Sequence, residues 1–267
     1  GVDYVFHAAA LKQVPTCEFF PMQATQTNVI GSQNIINSAI SHGVSKVISL
    51  STDKAVYPVN ALGITKALME KVVQSTSRKL FQGQTILSLV RYGNVLFSRG
   101  SVIPLFLKQI REKKPITVTE YEMTRFLLPL KEAIQLVGFA LQNGRQGDIF
   151  VCNAPSANIG DLAQALKNIF SSDSEIKIMG IRHGEKLHET LVSKEELLRS
   201  EDMGGYLRLS MDDRDLNYKK YLSEGDKKVI QTEDYTSQNT TRLTVPKIEE
   251  MLLAQPEIIA ELKNQEL

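Results

Sequence analysis

The order of the predicted strands and helices is the feature that most constrains the fold of this chain. Apolar runs at residues 2–6, 47–50 and 85–92 predict buried strands. Amphipathic patterns at residues 22–42 and 62–80 lie between these runs and predict helices. Such an alternation is typical of a parallel sheet whose strands are joined by crossover helices. We therefore predict an α/β fold built on a Rossmann-like parallel sheet.

The pattern is less regular beyond residue 97, where the predicted elements are shorter. We expect helices at residues 103–112, 131–142 and 161–170, strands at 116–119, 148–152 and 176–178, and a closing helix from about residue 245. Mixed short elements of this kind predict a second, smaller α/β region.

Composition excludes several classes of protein. The chain has 267 residues, a hydrophobic content of 42% and a formal net charge of +1, so nothing favours nucleic acid or an anionic membrane as a partner. Cys17 and Cys152 have no metal-ligand spacing, and a reducing compartment is favoured. No apolar run reaches transmembrane length. We predict a cytoplasmic protein with no membrane partner.

A polar elbow follows the strand at residues 47–50. It places a hydroxyl, a carboxyl and an amine in succession at Thr52, Asp53 and Lys54, and Lys66 lies in the helix that comes next. Ligands of open parallel sheets bind outside the carboxyl ends of the strands, so these groups occupy a position suited to chemistry. A carboxyl can protonate a leaving hydroxide, and an amine can remove a carbon-bound proton if burial lowers its pKa. The alternative is an ordinary turn with an aspartate cap and a solvated lysine.

Five segments of the sequence carry a resemblance to a known family. They are His7–Pro15, Ser51–Ala55, Arg91–Val95, Met123–Phe126 and Arg182–Lys186. Together they resemble the extended short-chain dehydrogenases/reductases that modify nucleotide sugars. The Ser-Thr-Asp-Lys-Ala segment is similar to the UDP-N-acetylglucosamine 4,6-dehydratase branch, which serves polysaccharide biosynthesis.

The helix after the elbow departs from the wider family. Most members carry a Tyr-x-x-x-Lys pair there, and this sequence has Lys66 but Leu62 at the tyrosine position. An apolar residue in that place resembles the capsular, 5-inverting dehydratases. Tyr57, five positions earlier, is a possible substitute for the absent tyrosine.

The resemblance implies two interleaved domains. We expect an NAD-binding Rossmann domain at residues 1–96 and a mainly nucleotide-sugar-binding domain at 97–267, with segments near 131–170 interleaved into the first. The sequence contains no G-x-G-x-x-G motif. The resemblance places Gly1 just before the fourth strand of the sheet, so we expect a fragment of a longer enzyme. A natural protein that has lost its cofactor-binding half is the alternative.

The reaction implied by the resemblance is a 4,6-dehydration of UDP-N-acetylglucosamine. A tightly bound NAD or NADP accepts hydride from C4, and Thr52 bonds the sugar hydroxyl that is oxidised. Lys54 removes the C5 proton, and Asp53 protonates the departing C6 hydroxyl so that it leaves as water. The hydride then returns to C6, and C5 is reprotonated from the opposite face. The expected product is a UDP-4-keto-6-deoxy-HexNAc inverted at C5. A UDP-sugar 4-epimerase and a non-catalytic nucleotide-binding protein remain as alternatives.

The remaining site residues are also implied by the resemblance. Cofactor contacts are expected at His7, Ala8, Ala9, Lys66, Tyr92 and Gly93, and contacts to the UDP-sugar at Lys12, Asn94, Arg99, Arg125, Arg182 and Lys186. Asn28 is expected to brace the active-site strand. No metal site is expected, because the His and Glu residues at 183–189 lack an H-E-x-x-H pattern. A homo-oligomer is expected.

Overall fold

The computed structural model describes residues 1–80, 83–211 and 233–265. Its helices are α1 (Val14–Phe19), α2 (Pro21–Thr25), α3 (Gly31–Ser41), α4 (Ala61–Ser77), α5 (Val102–Arg111), α6 (Leu130–Asn143), α7 (Ile159–Ile169), α8 (Lys194–Leu197), α9 (Val245–Leu253) and α10 (Pro256–Gln265). Its strands are β1 (Tyr4–His7), β2 (Lys46–Thr52), β3 (Ile86–Tyr92), β4 (Asn94–Val95), β5 (Ile116–Val118), β6 (Thr124–Leu128), β7 (Ile149–Cys152), β8 (Ser156–Asn158), β9 (Ile176–Ile178), β10 (Thr190–Val192), β11 (Ser200–Asp202), β12 (Tyr206–Leu209) and β13 (Tyr235–Thr236).

The chain forms two compact units, each assembled from three separate segments. Unit 1 comprises Gly1–Arg91, Gln135–Asn153 and Leu191–Tyr235, and unit 2 comprises Tyr92–Ile134, Ala154–Thr190 and Thr236–Leu267. The domains predicted from the sequence, 1–96 and 97–267 with segments near 131–170 interleaved, stay a prediction. The first compact segment ends at residue 91, and residues 135–153 and 191–235 belong to the same unit.

The main sheet belongs to unit 1 and has six strands in the order β1-β2-β3-β7-β12-β11. Strands β1 and β2 pair in parallel, as do β3 and β7, and α4 connects β2 to β3. The predicted α/β class with a Rossmann-like, mainly parallel sheet is confirmed. Strands β12 and β11 extend the sheet in antiparallel fashion. They were not predicted, because β11 is a polar segment of three residues and β12 has only four residues, directly after two glycines.

Strand β1 forms where an apolar strand is predicted, but its burial differs from the prediction. Tyr4 is 53% exposed and Phe6 is 51% exposed. The reason is position, since β1 is the edge strand of the sheet and pairs with β2 alone among the described residues. An edge strand covers only one side of its backbone with a neighbour.

The helix predicted at residues 22–42 is interrupted. A π-helical turn at Gln26–Ile30 separates α2 from α3. Such a turn accommodates one extra residue and rotates the helix that follows, so Ile36 is buried while Ile35 is exposed. Gly43, at φ +68°, follows the end of α3, as the sequence predicts.

Unit 2 has a core of its own. Strands β4, β6 and β8 form one small sheet, and β5 pairs with β9. Helices α5, α7 and α9 bury Phe106, Leu162 and Ile248 in a continuous apolar cluster beside them. No helix among the described residues is long and apolar enough to cross a membrane.

Candidate active site

The three predicted catalytic residues lie together at the end of β2. The Thr52 hydroxyl donates to Asp53 Oδ1 at 2.8 Å, and Lys54 Nζ lies 3.1 Å from the same oxygen. Asp53 is completely buried, whereas the Lys54 side chain is 22% exposed. The second carboxylate oxygen, Asp53 Oδ2, is buried and has no hydrogen-bond partner among the described residues. Because a buried oxygen without a partner is costly, Asp53 has unused capacity to bond a ligand or to carry a proton.

Helix α4 approaches the elbow closely. Asn60 caps its N-terminus by accepting a hydrogen bond from Gly63 N at 2.8 Å. A Cβ at Gly63 would overlap the carbonyl oxygen of Lys54, so only glycine permits this approach. The sequence thus brings the start of α4 against the elbow.

Lys66 projects from α4 into the interior of unit 1. Its Nζ donates to the Leu50 carbonyl oxygen at 2.8 Å, within the strand that ends at the elbow. Burial lowers the pKa of Lys66 to about 8, against the opposing effect of Glu70. A buried ammonium that bonds one carbonyl retains further N–H groups for a ligand such as a ribose hydroxyl.

The position of the absent tyrosine is part of the core. Leu62 is 4% exposed and packs with Cys17 and Ala24. Tyr57 lies elsewhere in the loop, with φ +47°, and its hydroxyl lies 3.1 Å from Glu195 Oε2 and 3.3 Å from Asp234 Oδ1. Partial burial and these carboxylates raise the pKa of Tyr57 to about 12, which suits it poorly to act as a base.

The end of β1 contributes the other predicted cofactor residues. His7 Nε2 lies 2.8 Å from Ser32 Oγ, and burial followed by the charge of Lys66 lowers the pKa of His7. Ala8, Ala9 and Lys12 are exposed in the loop that follows. Asn28 braces this loop, and not the strand at the elbow: its Oδ1 accepts from Leu11 N at 2.8 Å, and its Nδ2 donates to Leu11 O and to Thr65 Oγ1.

The predicted residues at 92–94 lie in unit 2. A Cβ at Gly93 would come within 2.6 Å of the Phe126 side chain, so packing alone accounts for this glycine. Burial raises the pKa of Tyr92. Asn94 begins β4, and its Oδ1 is buried with no hydrogen-bond partner in the part of the chain that the structure describes. Asn94 is therefore the residue of this segment with an unmet polar group.

The predicted cationic residues of unit 2 differ in their surroundings. Arg125 is mostly buried, and its Nη1 donates to the carbonyl oxygens of Thr124 and Leu187. Arg182 is exposed, with its Nε 3.1 Å from Glu185 Oε1. Arg99 is exposed and Lys186 is partly buried.

A hydrogen-bonded group next to Arg125 was not predicted. Thr124 Oγ1 lies 2.8 Å from His188 Nδ1 and 2.7 Å from Ser237 Oγ. Burial, then the charges of Arg242 and Arg125, lowers the pKa of His188. The surroundings of His188 thus combine two arginines with the buried Glu189, which lies 3.9 Å from Arg125 Nε. Over the described ranges, no three His, Cys, Asp or Glu residues are grouped as metal ligands.

A buried ion cluster in unit 1 was also missed. Arg91 pairs with Glu70 on α4 and with Glu196 on α8. Glu70 lies one helical turn after Lys66 in the sequence. This spacing could have indicated that Glu70 is near the site.

The fold defines a class. Solved structures that share it include Pen from Bacillus thuringiensis, with a TM-score of 0.83 and 32% identity over 95% of this chain and 76% of that chain. DesIV, a dTDP-glucose 4,6-dehydratase from Streptomyces venezuelae solved with NAD, has a TM-score of 0.64 and 22% identity over 70% of this chain and 63% of that chain. The fold is that of the short-chain dehydrogenases/reductases.

The sequence comparisons are more specific. Residues 1–211 match the family described as "Polysaccharide biosynthesis protein", and residues 212–258 match its C-terminal region. Proteins named UDP-glucose 4-epimerase from Rickettsia felis and Rickettsia prowazekii are each 56% identical over 264 residues, which span 99% of this chain and 77% of theirs. The chain belongs to the polysaccharide biosynthesis protein family.

Proposed function

We propose that this protein catalyses the nicotinamide-dependent 4,6-dehydration of UDP-N-acetylglucosamine, with inversion at C5. The family and its relatives support an enzyme of the nucleotide-sugar epimerase and dehydratase kind. The observation that carries the finer proposal is the Asp53–Lys54 pair, a buried carboxylate and an amine 3.1 Å apart at the end of β2. Dehydration needs both an acid and a base, whereas 4-epimerisation has no use for this pair at C5 and C6.

The pair is chemically suited to elimination. A charged carboxylate–ammonium pair and a neutral carboxylic acid–amine pair differ only by one proton moved between Lys54 Nζ and Asp53. Their net charge is the same, so the transfer of that proton leaves the charge of the pair unchanged. The neutral form contains the two groups that the reaction requires: an acid for the departing C6 hydroxyl and a base for the C5 proton.

The other residues of unit 1 have supporting roles in this proposal. Lys66 would hold the nicotinamide ribose, since its buried ammonium has one N–H group beyond those directed at Leu50 O and Met69 Sδ. Ala8 and Ala9 offer small exposed side chains directly after β1, where a cofactor could approach closely. When bound, a nicotinamide dinucleotide supplies reversible hydride acceptance from the sugar. The Thr52 hydroxyl would bond the sugar hydroxyl that is oxidised.

For the UDP-sugar we propose the cationic and amide residues already described. Arginine suits a diphosphate because its planar group forms two parallel charge-assisted bonds. Arg125 and Arg182 are proposed for the diphosphate, Asn94 for the sugar or diphosphate, and Lys12, Arg99 and Lys186 as further contacts.

A UDP-sugar 4-epimerase is the second candidate. It is favoured by the name of the relatives at 56% identity. An epimerase returns the hydride to C4 and leaves the hydrogen at C5 untouched. Deuterium at C5 therefore distinguishes the two reactions.

Lys54→Ala tests the proposal in the full-length protein. With NAD and UDP-N-acetylglucosamine in D₂O, we expect NMR to show C5 deuteration and a 4-keto-6-deoxy product for the wild type. In Lys54→Ala, dehydration and C5 exchange should fall by about 10²–10⁴-fold, while some C4 oxidation survives. Lys79→Ala, at an exposed lysine after α4, is the control. A wild type that produces the 4-epimer without deuterium at C5 would establish the epimerase instead.

A further inference from the structure

The ion cluster around Arg91 uses every donor of its guanidinium group. Nε donates to Glu70 Oε1 at 3.1 Å, and Nη2 to Glu70 Oε2 at 2.7 Å. Nη1 donates to Glu196 Oε2 at 2.9 Å and to the Leu191 carbonyl oxygen at 2.8 Å, and Nη2 also bonds Glu196 Oε1 at 3.0 Å. An arginine has five N–H groups, so none remains for a ligand. Arg91 is a structural cation despite its place in the segment that resembles the family.

Glu70 and Lys66 connect α4 to consecutive residues of β2. The Ser51 hydroxyl donates to Glu70 Oε1 at 2.5 Å, and Lys66 Nζ donates to the Leu50 carbonyl oxygen at 2.8 Å. Thr52, the first residue of the proposed catalytic triplet Thr52–Lys54, comes directly after Ser51. Glu70 and Lys66, one helical turn apart, thus hold β2 directly before this triplet.

The cluster carries an excess negative charge. One arginine against two glutamates leaves a net charge of −1, next to the buried ammonium of Lys66. Burial lowers the pKa of Lys66, and Glu70 opposes that effect. The other titratable group that interacts with Lys66 is His7 on β1; its pKa is also lowered, so it is neutral near pH 7. Glu70 is therefore the charge that favours the ammonium form.

We propose that Glu70 is a positioning residue: it fixes Ser51 directly before the catalytic triplet and keeps the buried Lys66 ammonium charged. The charge effect needs no assumption about the reaction. The positioning effect rests on the proposed function, and the two parts are tested by separate measurements.

The charge effect is tested by NMR titration of the full-length protein with ¹³C-labelled lysine, with the Lys66 signal assigned by its loss in Lys66→Met. Glu70→Gln should lower the pKa of Lys66 by on the order of one pH unit. Glu196→Gln is the matched control, because it removes the same charge from the same arginine but lies on α8 and not beside Lys66. An equal shift in both variants, or no shift in Glu70→Gln, overturns the proposal.

A second variant keeps the charge effect testable if Glu70→Gln misfolds. Glu70→Asp keeps the charge but withdraws the carboxylate by one methylene group. If Glu70→Gln does not fold, Glu70→Asp should lower the pKa of Lys66 in the same direction by a smaller amount. An unchanged or raised pKa in Glu70→Asp contradicts the proposal.

The positioning effect is tested by Ser51→Ala, which removes one hydroxyl and no charge. We expect kcat to fall about five- to tenfold with little change in KM for the UDP-sugar, since one bond that orients the triplet is lost. The pKa of Lys66 should stay unchanged. An unaltered kcat would refute the positioning role. If the wild type forms no dehydration product, the proposed function fails while the lysine titration still decides the charge effect.

Discussion

The arginines of the two units have opposite surroundings. In unit 1, the Arg91 side chain is 2% exposed, and two carboxylates and a carbonyl oxygen occupy all of its donors. In unit 2, the Arg182 side chain is 61% exposed and pairs with Glu185, its neighbour three residues along the chain. Arg125 lies between these extremes at 11% exposure: its Nη1 donates to two backbone carbonyl oxygens, and its Nε lies 3.9 Å from the buried Glu189 carboxylate.

The comparison distinguishes an arginine that stabilises the fold from an arginine that can bind a ligand. A buried cation whose donors are all hydrogen-bonded stabilises the packing around it. Removal of the cation or of its carboxylate partner leaves an unpaired buried charge. In Arg125, Nη2 makes no hydrogen bond to any described residue, so its N–H groups can donate to an anionic ligand, as we propose for the diphosphate. Sequence motifs alone do not make this distinction, because both Arg91 and Arg125 lie in segments that resemble the family.

The largest expected effect is that of Arg91→Ala on stability. Its removal leaves Glu70 and Glu196 buried without their cation, so the free energy of unfolding should fall by about 3–5 kcal/mol. The burial of Glu196 raises its pKa, but Arg91 more than offsets this and holds that pKa below its usual value. Urea denaturation followed by circular dichroism measures the change. A loss below about 1 kcal/mol would mean that the cluster is not a stabilising unit.

The next effect concerns binding. Arg125→Ala should weaken UDP-sugar binding about 10- to 100-fold, because bonds between charged groups are lost, and should leave NAD binding intact. Calorimetry on the full-length protein gives both affinities. Arg111→Ala, at an exposed arginine of unit 2 paired with Glu261, is the control. Unchanged UDP-sugar affinity would assign Arg125 a purely structural role.

The smallest effect is expected for the stability of Arg182→Ala. Its exposed ion pair with Glu185 contributes little, so the free energy of unfolding should change by less than about 0.5 kcal/mol. UDP-sugar affinity should fall by less than in Arg125→Ala, because an exposed side chain loses more conformational freedom on binding. If Arg182→Ala proved as destabilising as Arg91→Ala, the contrast between the units would fail.

Much of unit 1 follows from local sequence. The alternation of apolar runs and helical patterns predicts β2, α4 and β3, and the polar residues after β2 predict the elbow. The local signal fails at β11 and β12, two short segments that form strands because β12 pairs with β7 and β11 pairs with β12. The exposure of β1 is equally a matter of its place in the sheet and not of its composition.

The sequence by itself determined the α/β class, the Thr52–Lys54 triplet and the replacement of a tyrosine by Leu62, because each depends only on residues that are close together in the chain. Tertiary structure alone decided which segments form each unit and which charges meet. Glu70, Arg91 and Glu196 are far apart in the chain and become partners only when α4, β3 and α8 pack together. The physical reason is that periodicity reports the burial of a face, whereas the pairing of buried charges depends on distances that the folded chain sets.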